Sequence, residues 1–419
     1  MKNDSDAKRI AMEAIKKKLL GKKLNYKEIY SLMDEISKKK ISNVLTTYFV
    51  AASFKEGFSD DELYYLTKAM VDTGKKIEFD GIVADKHSTG GVAGTRTTMI
   101  VIPIIAAAGF KIPKLSSRAI TSPAGTADTM EVLASVTFST HKVKEIVEKT
   151  GGCIVWNGAM GIAPADDIII KIEEPLAFES FDKIIVSIMA KKIAVSTNHL
   201  VLDIPYGATM KVRHKSDAQK VSEKFKKLAK RFGIETIIES NATFEPTGRG
   251  VGPTLEARDV LYVLEQSEKR PLALEEKALR LAGKLLDICY KDANMKLDGA
   301  ANAKKILTSG LALSKFKEII HEQDGDNTIT SKTLNLKAHI HKIRANKKGK
   351  IIALNNYNIN ALAKILGAPD DKRAGLYLYK RIGEHVEKKE ELIDFYSSSA
   401  HDLTEATETI VNLPIYTIE

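Results

Sequence analysis

The chain has 419 residues, 44% hydrophobic and 28% charged, a globular composition that argues against disorder and is too long for one ordinary core. Its net charge of +10 suits anionic ligands, but aromatics make up only 6% and do not interleave with the lysine clusters, which argues against nucleic acid as a partner. The N-terminus lacks an apolar signal core, the longest apolar run (Met99 to Phe110, broken by Pro103) is too short to span a bilayer, and Cys153 and Cys289 lie far apart; a cytoplasmic protein with no membrane partner and no metal-binding cysteine pattern is expected.

Residues 1–74 read as a helical bundle. Ile10, Ile15, Leu19 and Leu20 recur at helical spacing, Asn25/Glu28 and Ser59/Glu62 have capping-box spacing, and Gly21, Gly57 and Gly74 sit at expected helix ends. From Ile77 the pattern changes. Ile82 to Ala84 reads as a strand leading through a glycine loop into an apolar helix. Phe110 to Leu115 repeats this, followed by a helix over TMEVLA, and Cys153 to Trp156 is another strand. Residues 163–197 return to helix and rejoin the bundle. His199 to Pro205 and Thr236 to Glu239 read as strands, with helices over Ser216 to Phe232, Leu255 to Leu264 and Glu275 to Ile288. Strands alternating with helices predict a parallel-sheet α/β domain over 75–162 and 198–327. Residues 328–419 carry short strands (HIHKIRA, GKIIAL, AGLYLYK, ELIDFYS) and predict a small α+β, barrel-like domain.

Two loops carry chemistry. In DKHSTGGVAGTRT, glycines expose backbone N–H groups where a helix opens, and Lys86, Ser88 and Thr97 add a charge and two hydroxyls. The spacing is not that of a nucleotide P-loop. The second loop, SSRAITSPAGTAD, combines serines, threonines and Arg118 into an anion cradle; ordinary helix capping by Thr126 is the alternative, which two such loops on consecutive units disfavour. Adjacent loops after parallel strands share one crevice. Ser187 and Lys191 stand one helical turn apart, Lys211 follows the DIPYG turn, and TGRGVGP at 247–253 is a weaker anion loop. His87 reads as either a catalytic or a structural histidine.

DKHSTGG, SSRAITSPAGTADTMEVL, GGCIVW, APADDIII, SIMAKK, GRGVGPTLEAR and GAPDDKRAGLYL together resemble the thymidine and pyrimidine-nucleoside phosphorylase family, in its AMP phosphorylase branch, over nearly the whole chain. The resemblance implies that Lys86, Ser88, Thr97, Ser116 and Thr126 hold an attacking phosphate. It implies that Gly91, Ser117, Arg118, Ala119, Ile120, Thr121, Ser122, Thr126, Ser187 and Lys211 hold the nucleotide, with Lys191 beside Ser187. Glu179 stands where the family has an aspartate proton donor, with Asp166, Asp167 and Asp182 as neighbouring alternatives. Glu173 and Glu174 replace a base-contacting arginine of the pyrimidine branch, which argues against thymidine. Archaeal members carry a further N-terminal module before the bundle; this sequence begins almost at the bundle, so a homodimer rather than a large particle is expected.

The implied reaction is phosphorolysis of a nucleoside 5′-monophosphate, with inorganic phosphate as co-substrate and no cofactor or metal. Lys211, Arg96 and Arg249 are candidates for the 5′-phosphate. Phosphorolysis of an unphosphorylated nucleoside is the nearest rival. A phosphoribosyltransferase, which would need acidic residues for magnesium and diphosphate, is a second.

Overall fold

A computed structural model describes residues 2–119, 122–173 and 180–419. Four helices open the chain: α1 (Lys2–Leu19), α2 (Tyr26–Ser37), α3 (Asn43–Glu56) and α4 (Asp60–Asp72). Both capping boxes form. Asn25 accepts from the Glu28 amide at 3.0 Å while Glu28 accepts from the Asn25 amide at 2.9 Å, and Ser59 and Glu62 repeat the exchange. Such caps are worth about 1 kcal/mol each. Glu62 also accepts from the buried Lys18 ammonium and the Leu24 amide, which ties α1 to α4. Helices α8 (Pro164–Glu173) and α9 (Phe181–Ile193) return to this bundle, where Ile169, Ile185 and Met189 share one apolar cluster with Ile29, Leu32 and Met33.

The α/β part is a twisted parallel sheet. Strand β1 (Ala84–Ser88) pairs with β4 (His199–Tyr206), and β4 with β5 (Glu235–Ala242); β2 (Ile112–Ser116) pairs with β3 (Gly152–Trp156). A parallel bridge between Val83 and Lys111 joins the two groups, giving the order β3-β2-β1-β4-β5. Strand β1 starts later than the Ile82–Ala84 run suggests. Asp85, Lys86, His87 and Ser88 lie in the strand, in register with Leu200 to Asp203, and the loop proper begins at Thr89. Hydropathy misplaces this strand because its inward polar groups find buried partners. The helix expected over TMEVLA is displaced too: α6 spans Thr126–Met130 and gives way to turns from Glu131.

Helix α5 (Thr97–Ala107) is buried on every side, packed by α12 (Leu272–Asp292), α13 (Gly299–Thr308) and α14 (Leu311–Glu322), which explains its lack of any polar face. α7 (Thr140–Thr150) and α10 (Lys215–Arg231) cover the sheet. In the C-terminal region β7 (His339–Arg344), β9 (Gly375–Leu378) and β11 (Glu391–Ser397) form an antiparallel sheet with β6 (Gly250–Val251), a strand from the segment before α11 (Pro253–Leu264). A second sheet runs β10 (His385–Val386), β8 (Gly349–Leu354), β12 (Tyr416–Ile418), with α15 (Asn356–Ile365) and α16 (Ala400–Thr409) alongside. Among the described residues no helix is long and apolar enough to cross a membrane.

Candidate active site

The C-terminal ends of β1, β2 and β4 face α8 and α9 across a cleft of about 230 Å³, the location expected for a ligand in an open α/β sheet. The sheet side presents Lys86, Ser88, Ser116 and the two loops; the helical side presents Ser187, Lys191 and the apolar Ile170, Ile184 and Ile188.

Lys86 organises the sheet side. It is buried, and its ammonium donates to the hydroxyls of Thr97 at 2.8 Å and Thr98 at 3.2 Å. Burial lowers its pKa to about 8; Asp203 opposes the shift, while Lys277 and Arg96 add to it. Among the described residues no carboxylate lies within salt-bridge distance of it. Helix α5 begins beside it without a side-chain cap, so the first-turn amides add to a positive site. Thr97 is fully buried and bonded to Lys86 rather than lining the cleft, and Thr98 is the lining hydroxyl of that turn. Ser88 donates to Asp203 at 3.0 Å, and Lys277 pairs with the same carboxylate oxygen at 3.0 Å.

Behind this layer sits a buried cation network. Asp85, fully buried, takes Lys114 at 3.0 Å on one oxygen and Lys192 at 2.5 Å on the other. Burial alone would raise the Asp85 pKa, but the two ammoniums bring it below the usual carboxylate range. Burial lowers Lys192 to about 7. Lys114 also donates to the Lys86 carbonyl at 2.7 Å and approaches His87 Nδ1 at 3.5 Å. Desolvation and the surrounding lysines hold the His87 imidazole well below its ordinary pKa. His87 lines the cleft as a neutral ring, suited to donating a hydrogen bond rather than a proton.

The loops are held by their own residues. Gly91 has φ +85°, and a Cβ there would meet Lys211 Cβ at 2.8 Å, so glycine permits the close approach of these two segments. In the second loop, Asp128 accepts from the amides of Ala119 (2.7 Å) and Gly125 (2.9 Å). Arg118 forms a fork with Glu131 (2.6 and 2.5 Å), reaches Asp128 at 3.2 Å and lies over the Trp156 ring at 4.8 Å. Its guanidinium is thus neutralised in place, and the Ala119 amide is committed to Asp128. Arg96 joins both loops: it donates to Ala124 O (2.6 Å) and Thr126 Oγ1 (3.2 Å) and pairs with Glu256. Ser116, Ser117, Ser122 and Thr126 line the cleft. Arg249 does not: its guanidinium is bonded to the carbonyls of Leu378 and Tyr379 in the C-terminal sheet.

On the helical side Asp166, fully buried, accepts from Ser187 (2.6 Å) and Lys191 (2.9 Å), and Lys191 donates to Ser187 at 2.9 Å. Burial pushes the Asp166 pKa up, but Lys191, Lys183 and Ser187 leave it lowered, which removes it as a proton donor. Asp182 is bonded to the Phe58 amide and Lys224, away from the cleft. Burial and the Asp166 charge raise Asp167 to about 6, yet it is not a lining residue. Glu173 pairs with Lys183, and both line the cleft. Glu179, Ile120 and Thr121 lie outside the described residues.

Lys114, Lys183, Lys277 and Thr98 line the cleft and Asp203 holds Ser88 and Lys277 there, none of which the sequence reading singled out. Lys114 and Asp203 carried a usable signal, a charge inside an apolar strand run. Lys277 carried none, being one lysine of many on an amphipathic helix.

The family described as glycosyl transferase family, a/b domain, matches residues 80–313; its helical bundle domain matches 12–74, and the pyrimidine nucleoside phosphorylase C-terminal domain matches 350–415. AMP phosphorylase 1 of Archaeoglobus fulgidus is 40% identical over 95% of this chain and 78% of its own length. AMP phosphorylase of Thermofilum pendens is 42% identical over 96% and 77%. A candidate thymidine phosphorylase of Legionella pneumophila (strain Corby) is 40% identical over 94% and 75%. In fold alone, the chain is similar to anthranilate phosphoribosyltransferase from Thermus thermophilus, with a TM-score of 0.62 at 19% identity over 74% of this chain and 99% of that one. The sequence similarity along the bundle, the sheet and the C-terminal region leads to one assignment: the chain belongs to the glycosyl transferase family of AMP and thymidine phosphorylases.

Proposed function

We propose that the chain catalyses phosphorolysis of nucleoside 5′-monophosphates, converting AMP and inorganic phosphate into adenine and ribose 1,5-bisphosphate. The observation that carries this reading is Lys86, a buried ammonium bonded, among the described residues, to hydroxyls beside an uncapped helix start, for which a phosphate dianion supplies the counter-charge. Lys86, Ser88, Ser116 and Thr126 hold the phosphate, with Thr97 fixing Lys86. Gly91, Lys211 and the loop from Ser117 to Ser122 hold the nucleotide. Ser187 and Lys191 meet the base over the apolar isoleucines of α8 and α9.

A phosphate oxygen attacks C1′ as the C1′–N bond breaks; the bond's electron pair leaves with the base, which takes up a proton. Fixed donors stabilise the phosphate without reorganising, and holding it below C1′ removes an entropic barrier of several kcal/mol, on the order of 7 in favourable cases. Glu179 is the proposed proton source, with the neutral His87 as a hydrogen-bond donor to the sugar or base. The chain acts as a cytoplasmic homodimer. Leu20, in the turn after α1, and Val44 and Tyr48 of α3 are exposed apolar residues (71%, 66% and 53% exposed), which supports a self-association surface.

The test is base release, followed by chromatography, from AMP, CMP, UMP, adenosine, uridine and thymidine, each with phosphate. Release from monophosphates alone supports the proposal. Release from thymidine or uridine alone replaces it with the nucleoside reading, which the Legionella relative favours by its name.

A further inference from the structure

The C-terminal region reaches the glycine loop of the cleft through the side chain of Asn356. This residue, at the first turn of α15, is 1% exposed. Its Nδ2 donates to Gly91 O at 2.5 Å and to Thr209 O at 3.3 Å, and its Oδ1 accepts from the Ala93 amide at 3.1 Å. One amide therefore spans the glycine loop after β1 and the segment after β4, 265 positions away from Gly91 in sequence. The next residue, Tyr357, donates to Met210 O at 3.1 Å, so two consecutive residues of α15 grip the backbone beside Lys211. Gly91 and Lys211 are the pair whose approach leaves no room for a Cβ, which would come within 2.8 Å of Lys211 Cβ. The side chain of Asn355 accepts from the amides of Tyr357 and Asn358, which fixes the turn that presents Asn356.

We propose that Asn356 is a positioning residue for the nucleotide half of the active site: it sets the distance between Gly91 and Lys211 and so couples the C-terminal region to nucleotide binding. The phosphate half is built separately, from Lys86, Ser88, Ser116 and Thr126, none of which bonds to Asn356. The assignment of the two halves rests on the proposed nucleotide phosphorylase reading.

Two variants separate positioning from bulk stability. N356A removes all three bonds. N356D keeps an acceptor for Ala93 N–H but loses both donations and sets a carboxylate against two carbonyls. In both, the KM for AMP should rise about tenfold while the KM for phosphate stays within about twofold, as expected for losing two or three buried hydrogen bonds on one side of the site. A merely structural role would lower melting temperature and active fraction without splitting the two KM values. Amide exchange at Ala93 needs no substrate: it should accelerate in N356A and stay protected in N356D. Equal changes in both KM values, unchanged kinetics, or an Ala93 amide as protected in N356A as in the wild type would overturn the proposal. A wild-type protein that releases no base from AMP overturns the nucleotide reading instead, and Ala93 exchange still decides whether Asn356 holds the loop.

Discussion

Replacing Asp85 by Asn tests whether the buried cation network is what holds the phosphate side in shape. Asp85 has no exposed surface and is the shared counter-charge of Lys114 at 3.0 Å and Lys192 at 2.5 Å. Asparagine fills the same space but leaves two ammoniums facing a neutral group. Breaking a buried pair from one side costs about 3 to 5 kcal/mol, and here two cations lose their partner. The loss should depend on pH. Burial already lowers Lys192 to about 7, and without Asp85 its folded pKa falls further while the unfolded value stays near ~10.4. Below about pH 7 the wild-type ammonium keeps its proton in both states, whereas the folded variant has lost it and the unfolded chain has not, so the variant's deficit shrinks as pH rises toward 7. Urea unfolding at about pH 5.5 and pH 7.5 should show D85N losing several kcal/mol relative to the wild type at the lower pH and recovering part of it at the higher. The double variant D85N/K192M, which removes one buried charge of each sign, should be more stable than D85N alone. A deficit below about 1 kcal/mol that does not change with pH would refute the reasoning, because it would mean water or relaxation supplies the missing counter-charge.

Lys86 carries a second pH signature. Phosphate binding needs its ammonium, and burial places its pKa at about 8. The kcat/KM for phosphate should therefore fall about tenfold per pH unit above that point, and a flat alkaline profile would remove Lys86 from the phosphate site. Replacing Arg118 by Met leaves Asp128 and Glu131 with Lys372 as their remaining cation and should loosen the second loop, raising KM for the nucleotide several-fold, ~1 kcal/mol in binding; steady-state kinetics on AMP that match the wild type would contradict this. Replacing Tyr48 by Glu puts a charge on the exposed α3 face and should shift a dimer toward monomer in light scattering coupled to size exclusion. An unchanged mass would place the dimer contact elsewhere.

The bundle was legible because its signals are local. The boxes at Asn25/Glu28 and Ser59/Glu62 need only three-residue spacing, and both form. The parallel strands were legible as short apolar runs, except where function writes charge into them. β1 hides Asp85 and Lys86 inside a strand, and β2 hides Lys114, since each is satisfied by a residue from another element of the fold. The two loops were found through their glycines and hydroxyls, yet the tie between them, Arg96 to Thr126, and the brace of the second, Arg118 to Glu131, depend on side-chain direction that spacing does not reveal. Asn356 is the extreme case. Nothing in NNYNIN marks it, because its meaning comes from the packing of α15 on a loop formed 265 positions earlier.

The most direct test of the central claim is to run AMP with ¹⁸O-labelled inorganic phosphate and identify the sugar product by mass spectrometry. Phosphorolysis yields adenine and ribose 1,5-bisphosphate in equal amounts, with the label retained in the phosphate at C1. Unlabelled ribose 5-phosphate, or release of a base only from thymidine or uridine, would contradict it.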